Sequence, residues 1–526
     1  MNLLIIDISV FILTYILLFF SISGYGKYLS KKFNNILIAN NYFEYQIYGT
    51  IFALIISFII QNIFGVNTYF NIFFFTIGFC LYIFTNNFIK NIKTSQILLL
   101  LFSLLSVLII SKTHEDFNSY HFFSINELYE NKLRIGVNEL SHRFFHSSLI
   151  GYVQILYVFP FLEYKLVHFP IFYLYVTTIG YFLYIVFNKT NSKEIFYSIF
   201  CIIVLLTKFS RLSEFGYDYT SQFLLLIVFH KIYFYKDKDT EIFKSILIFL
   251  FSFLIKPVTI LFSPIFLLIF FKKNFFVDQF LNKRAIFFSL LISIFFTASI
   301  LRTGCLFYPI NQTCFEKDKI FWSEKERIKN YRKVVTLWAK GFNHQDHTNY
   351  EIIGDEKKFT SNFNWLKYWI EVHFFYKIFE FILLVIFAYL LTYIFFKKKD
   401  RGKTKILNTN LIYIFLSGVS IFFWLLTAPQ FRFGFASILI FIYLTLINIF
   451  QKNISFEKNR FFIIFFLCLF FLNIKNINRI NSEFERDDFY KFKRFPYFNQ
   501  IKIKNNYENI ERYKFLGIEI LKKKSE

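Results

Sequence analysis

Charge is what this 526-residue chain has least of. Asp, Glu, Lys and Arg make up 18% of it, against 56% hydrophobic residues. A soluble chain of this size could not bury that much apolar surface, so a soluble enzyme, a disordered protein and a nucleic-acid-binding domain are all poor fits. Glycine and proline are sparse, at 16 and 7 residues, and neither a Pro/Gly-rich linker nor an internal repeat divides the chain. There is no Gly-rich phosphate loop, no zinc spacing and no Gly-x-Ser-x-Gly, which argues against an ATP-driven pump and a serine hydrolase. The absence of strand alternation argues against an outer-membrane barrel. The first apolar stretch, Leu3–Phe20, lacks a basic n-region and a small-residue cleavage site, so it reads as a span rather than a removed signal peptide.

What is present is aromatic and aliphatic: 83 Phe, 35 Tyr, and runs of near-bilayer length such as Ile97–Ile110, Ala285–Leu301 and Phe379–Phe396. The pattern predicts an all-α integral membrane protein with about 14 spans. These lie near 3–23, 46–63, 69–85, 95–111, 168–187, 195–207, 222–235, 243–256, 258–271, 285–301, 375–396, 411–427, 434–450 and 460–475. Four regions follow: a transmembrane core over 1–301 with an acidic outer loop at 112–148, a polar outer region at 302–374, C-terminal spans at 375–475, and a basic tail at 476–526. The stretch 149–161 is too short to pair with the next span and is expected to be an interfacial or re-entrant helix.

The net charge of +24 is partly what AT-rich coding produces, so position matters more than number. Under this count the basic clusters all fall on alternate connections. They are Lys27, Lys31 and Lys32; Lys90 and Lys93; Lys189 and Lys193; Lys236 and Lys238; Lys272, Lys273, Lys283 and Arg284; Lys397 to Lys399 with Arg401, Lys403 and Lys405; and Lys452, Lys458 and Arg460. The positive-inside rule makes that face cytoplasmic and puts both termini outside.

The opposite face carries the residues suited to chemistry. The first large outer loop opens with His114-Glu115-Asp116. A carboxylate at the membrane boundary can serve as general base on a hydroxyl or ligate a metal. Thr113 and Asp116 equally form a capping box for a helix through Phe122–Leu133. Later in that loop, His142 and Arg143 at a helix start suit a phosphate, or Arg143 snorkels to headgroups. Glu214 and Asp218, with Arg211, sit in a loop too short to hide them; they line the same cleft or pair with each other. Lys256 stands before Pro257 inside an apolar run, which makes it a site by default or a snorkelling cation. Arg432, after the tight turn Pro429-Gln430, can hold a lipid phosphate or simply anchor to headgroups. Cys80, Cys201 and Cys468 fall in spans and act as small hydrophobes. Cys305 and Cys314, nine positions apart in one outer loop, form a disulfide clip if that face is oxidising.

Together these features resemble the C-type (GT-C) superfamily of integral membrane glycosyltransferases, with Glu115-Asp116 at the acidic-pair position and 149–161 as the interfacial helix. A closer resemblance is to an uncharacterised bacterial multi-span membrane protein family related to it. That likeness is carried by Glu214-Phe215-Gly216-x-Asp218, Gly304-Cys305-x-x-Tyr308-Pro309 with Thr313-Cys314-Phe315, Trp338-Ala339 and Pro429-x-x-Arg432-Phe433, across residues 100 to 450. The tail departs from such relatives, being Lys-rich and without cysteine.

The resemblance implies transfer of a sugar from a polyprenyl-phosphate-linked donor to a glycan, lipid or protein acceptor, at the outer face of the bacterial cytoplasmic membrane. Asp116 would be the general base and Glu115 would orient the acceptor or bind a divalent metal (Mg or Mn). Arg432, with Lys256, Arg143 or Arg302 as alternatives and His142 beside them, would hold the lipid phosphate. Two rivals share the span count. One is a surface-polysaccharide polymerase or ligase working through Arg327, Arg332 or Arg143. The other is a lipid-linked-sugar flippase, for which Lys256 and Asp7 are the convincing intramembrane charges.

Overall fold

The computed structural model describes residues 2–34, 36–85, 93–109, 121–140, 142–145, 148–160, 162–209, 217–270, 283–347, 351–394, 396–398, 408–449, 454–456, 458–485, 510–515 and 518–523. Eight helices among them are long and apolar enough to cross a membrane: Ile8–Lys32, Tyr42–Ile63, Tyr164–Asn188, Ala285–Thr303, Trp365–Tyr393, Asn410–Thr427, Phe431–Asn448 and Arg460–Arg479. The protein is therefore a helical multi-pass membrane protein. The other expected spans fall on helices that are shorter or less apolar: Thr68–Phe84, Thr94–Ser103, Ser192–Lys208, the 19-residue Tyr217–Tyr235, Asp239–Ile255 and the broken stretch Pro257–Phe270.

Local chemistry sets several of these boundaries. Asn41 and Asn67 cap the helices that follow them, their side chains accepting from the Glu44 and Phe70 amides at 3.1 and 2.9 Å. Two glycines let the first three helices touch backbone to backbone. A Cβ at Gly24 would lie 1.9 Å from the Gly78 carbonyl oxygen, and one at Gly26 would lie 1.8 Å from that of Tyr45. The helix through Tyr164–Asn188 is the centre of the bundle, with 94% of its apolar window buried.

Three expectations are corrected. The stretch 258–271 is not an α-helix over its length: Pro257 opens a 3-10 run to Phe266, and only Leu267–Phe270 is α-helical. Proline at 257 and 264 denies the i−4 ladder two donors, which apolar composition alone does not reveal. The 149–161 segment is a five-residue helix, Ile150–Gln154, followed by a 3-10 turn, and Leu149 to Val158 are all buried. The segment is therefore a short helix and turn covered by protein, not one helix over 149–161. Lastly, the helix Lys458–Glu485 runs well past the expected start of the tail at 476.

The break at Lys256 explains why the segment Leu149–Val158 sits where it does. Lys256 is extended (φ −148°, ψ 107°), so the last carbonyls of Asp239–Ile255 have no helical donor. The Leu149 amide donates to the Leu254 carbonyl at 3.0 Å, and the Ser148 hydroxyl donates to that of Ile255 at 2.7 Å. Carbonyls that Pro257 releases thus satisfy the start of this buried segment.

Contacts sort the loops into two ends. At one end the Asn40 amide donates to Glu241 at 2.7 Å, Tyr235 donates to Glu194 at 2.6 Å, and Phe396–Lys398 pairs antiparallel with Ile454–Phe456. These are turns from the basic connections. At the other end, Arg134–Ile135 of the first large loop pairs parallel with Ile518–Lys523, which forms a hairpin with Ile510–Phe515. The Lys-rich tail therefore returns to the first loop. At Gly136 (φ +77°) the chain passes so close beneath the hairpin that a Cβ would sit 2.3 Å from the Leu521 carbonyl oxygen. On this same end Cys305 and Cys314 are disulfide-bonded, with Phe145, Tyr308 and Ile328 packed around them.

Candidate functional site

Asp218 lies in the first turn of Tyr217–Tyr235, where a carboxylate suits the positive end of the helix dipole. Its two oxygens face different cations. Oδ1 is 2.7 Å from Lys256 Nζ, at the helix break, and Oδ2 is 3.2 Å from Arg432 Nε. Three residues remote in sequence, each singled out on its own, thus meet in one cluster. The Phe433 ring lies under both cations, 5.4 Å from Lys256 Nζ and 5.1 Å from Arg432 Cζ, and Trp338 flanks Arg432 at 5.7 Å. Tyr217 carries the His121 ring on its edge at 5.1 Å, which brings residue 121 of the first large loop to the cluster.

The turn that presents Arg432 is held from three sides. Trp369 Nε1 donates to the Pro429 carbonyl at 2.7 Å and Trp424 Nε1 donates to that of Gln430 at 2.9 Å. The Gln430 side chain reaches the Ala339 carbonyl at 3.2 Å and His373 Nε2 at 3.0 Å. Behind the site, Gln222 Oε1 accepts from the Ala436 amide at 3.1 Å, and Ser252 donates to the Ser221 carbonyl at 2.9 Å. The helices bearing Asp218, Lys256 and Arg432 are therefore stitched to one another beside the charges they carry. Lys208 lies 5.3 Å from the Phe431 ring, adding a cation from a fourth helix.

Chemically, among the described residues one carboxylate, Asp218, ion-pairs with two cations. Arg432 keeps 38% of its side chain exposed, against 23% for Lys256 and 15% for Asp218. Exposure increases toward the guanidinium, which leaves donors free toward the surface. With both oxygens on cations, Asp218 is an anchor for them and a poor proton acceptor.

The other expected site residues divide into three groups. His114, Glu115, Asp116 and Glu214 lie outside the described residues, as does the side chain of His142. Arg143 is half-buried in the turn His142–Phe145. Arg302, in the last turn of Ala285–Thr303, stacks on Tyr152 at 5.8 Å and lines a separate cleft. Among the described residues no three His, Cys, Asp or Glu side chains gather as a metal site.

Sequence reasoning missed a second charge cluster, at the opposite end of the bundle. Lys231 Nζ contacts Glu44 at 2.5 Å and Glu241 at 2.8 Å, while Lys244 Nζ contacts Glu241 at 2.6 Å and Glu44 at 3.3 Å. All four side chains are 4% exposed or less. Beside them His230 bridges Tyr181 at 2.8 Å and Glu194 at 3.1 Å. This corrects the expectation that Lys256 and Asp7 are the charges to consider within the spans; the side chain of Asp7 lies outside the described residues. Lys231 and Lys244 both fall inside apolar runs, which was the available signal.

A family model described as Domain of unknown function (DUF8201) matches residues 9–439, so the chain belongs to that family. No curated protein and no solved structure matches it.

Proposed function

We propose that this member of the DUF8201 family is a GT-C-like glycosyltransferase that takes a sugar from a polyprenyl-phosphate donor at the outer face of the bacterial cytoplasmic membrane. The observation that supports it is the meeting of Lys256 and Arg432 on Asp218 at the end of the bundle that carries the first large loop. An excess of cation there suits a lipid phosphate, and the exposed edge of Arg432 gives it a route of approach. In this reading Asp116 takes the proton of an acceptor hydroxyl as its oxygen bonds to the anomeric carbon. The sugar–phosphate bond breaks and its electron pair leaves with the lipid phosphate, whose growing charge Arg432 and Lys256 stabilise. Glu115 orients the acceptor, or binds Mg or Mn if a metal is used. The shorter helices complete about 14 spans, and the end bearing the basic turns faces the cytoplasm with both termini outside.

Arg327, one of the arginines of the polymerase alternative, pairs with Glu139 at 3.0 Å and keeps 36% of its side chain exposed. The test is transfer from a panel of radiolabelled polyprenyl-phosphate sugars by the purified protein. Asp116→Asn should cost on the order of 10²–10⁴ in rate, and Arg432→Gln on the order of 10²–10³. Full transfer by folded Asp116→Asn protein rejects the mechanism. Movement of a labelled lipid-linked sugar across vesicles with no glycosidic bond formed selects a flippase. Loss of activity in Arg332 or Arg143 variants with Asp116→Asn silent selects a polymerase.

A further inference from the structure

A second set of cations lines a cleft on the same end of the molecule, apart from Asp218, Lys256 and Arg432. It is a shallow, partly open cleft of about 50 Å³ between the ends of the helices Tyr42–Ile63 and Ala285–Thr303 and the segment that follows Phe122–Glu130. Arg302, Lys132 and Arg134 contribute positive charge, Glu127 is the one acid, and Leu128, Leu133 and Leu301 supply apolar wall.

These cations are not equally committed. Arg134 lies 2.5 Å from both Glu127 and Glu519, so two carboxylates neutralise it. Arg302 rests on the Tyr152 ring at 5.8 Å, and no acid among the described residues pairs with it or with Lys132. The cleft therefore holds two cations that form no ion pair among the described residues. Its apolar surface continues into helices able to cross a membrane, which places the cations where phosphate headgroups lie. The planar fork of Arg302, fixed from behind by Tyr152, matches phosphate geometry better than a mobile ammonium does.

We infer that this cleft binds the phosphate of a membrane lipid through Arg302 and Lys132, as a site separate from the Asp218–Lys256–Arg432 cluster. The C-terminal hairpin tunes it: Glu519, on the strand that pairs with Arg134–Ile135, supplies the carboxylate that occupies Arg134 from the tail side. The hairpin lies beyond the residues that the family model matches, so this tuning belongs to the chain's own tail. The inference does not depend on the transferase reading, because it concerns lipid retention and not turnover.

The experiment is native mass spectrometry of the full-length protein in detergent, titrated with phosphatidylglycerol, with phosphatidylcholine and, separately, with inorganic pyrophosphate. The double variant Arg302→Gln/Lys132→Gln should bind its tightest phosphatidylglycerol about tenfold more weakly, as expected when a charge-assisted phosphate contact is lost. Glu519→Gln keeps every cation and relieves Arg134 of one acid, so it should raise retention severalfold. Equal phosphatidylglycerol retention in the wild type and both variants overturns the site. Pyrophosphate binding that is lost in the double variant, while lipid retention is unchanged, overturns the lipid assignment in favour of a soluble anion.

Discussion

The buried quartet of Glu44, Lys231, Glu241 and Lys244 permits a sharp test of how this bundle is held together. Each lysine contacts both glutamates, and the Asn40 backbone amide adds a donor to Glu44 at 2.8 Å. The four charges sum to zero inside a site that excludes water. Lys231→Met removes one cation and leaves Glu44 and Glu241 sharing Lys244, a net negative charge with no solvent to accept it. Breaking a buried pair in this way costs about 3–5 kcal/mol, because the orphaned ion keeps its desolvation penalty and loses its partner.

Neutrality, not the lysine itself, is what the argument says matters. Adding Glu44→Gln to Lys231→Met restores a balanced pair, Lys244 with Glu241, at 2.6 Å. The double variant should therefore be more stable than Lys231→Met alone, with a coupling energy of about 1–3 kcal/mol. The assay is equilibrium denaturation in detergent, followed by intrinsic fluorescence, for the wild type, both single variants and the double. If Lys231→Met costs less than about 1 kcal/mol, or if the two substitutions simply add, the four groups do not form one charge-balanced unit and the reasoning fails.

Two further outcomes concern the opposite end. Gly136→Ala puts a Cβ within 2.3 Å of the Leu521 carbonyl oxygen at a left-handed φ, so it should detach the C-terminal hairpin at a cost of about 1–3 kcal/mol; trypsin should then cut at Arg512 or Lys514 faster than in wild type. Burial, then the neighbouring Glu139, push the Glu324 carboxyl above its ordinary range, against the pull of Lys317 and Arg327. An acid raised in this way binds its proton more tightly when folded. Its stabilisation is complete below the ordinary glutamate range and is lost as pH rises through the raised value. Thermal scans from pH 4 to pH 8 should thus show a downward slope that Glu324→Gln flattens, with the variant the more stable at neutral pH; an unchanged slope refutes the link.

Much of the helical framework was legible, because spans are written in long apolar runs. Lys256 and Arg432 could be read as special because each stands against a proline-bearing break, where charge in a hydrophobic run is costly to keep. Their meeting on Asp218 could not be read, since nothing local ties residue 218 to 256 or 432. The quartet was missed for a related reason. Lys231 stands near the end of the expected span at 222–235 and Glu241 just beyond the charged turn Lys236–Asp239, so nothing local shows that the two meet. Only packing against Glu44, a first-turn residue of a distant helix, reveals them as buried. Composition misled at the tail as well, where abundant lysine hides the short apolar stretch Ile518, Ile520 and Leu521 that lies in a strand.

The two charge clusters argue for where the protein works. Both lie on the helix Tyr217–Tyr235, Asp218 and Lys231 being about 20 Å apart at the usual rise per residue. At the Lys231 end, two lysines meet two glutamates, every group is buried, and no net charge is left to recruit a ligand. At the Asp218 end, two cations share one carboxylate and Arg432 is partly exposed. Both arrangements cost desolvation, but only the second keeps charge in reserve at the surface. A cluster whose whole purpose was to hold helices together would be balanced, as the quartet is. The imbalance among the described residues around Asp218, repeated in the Arg302 cleft on the same end, is what the proposed binding of a lipid phosphate rests on.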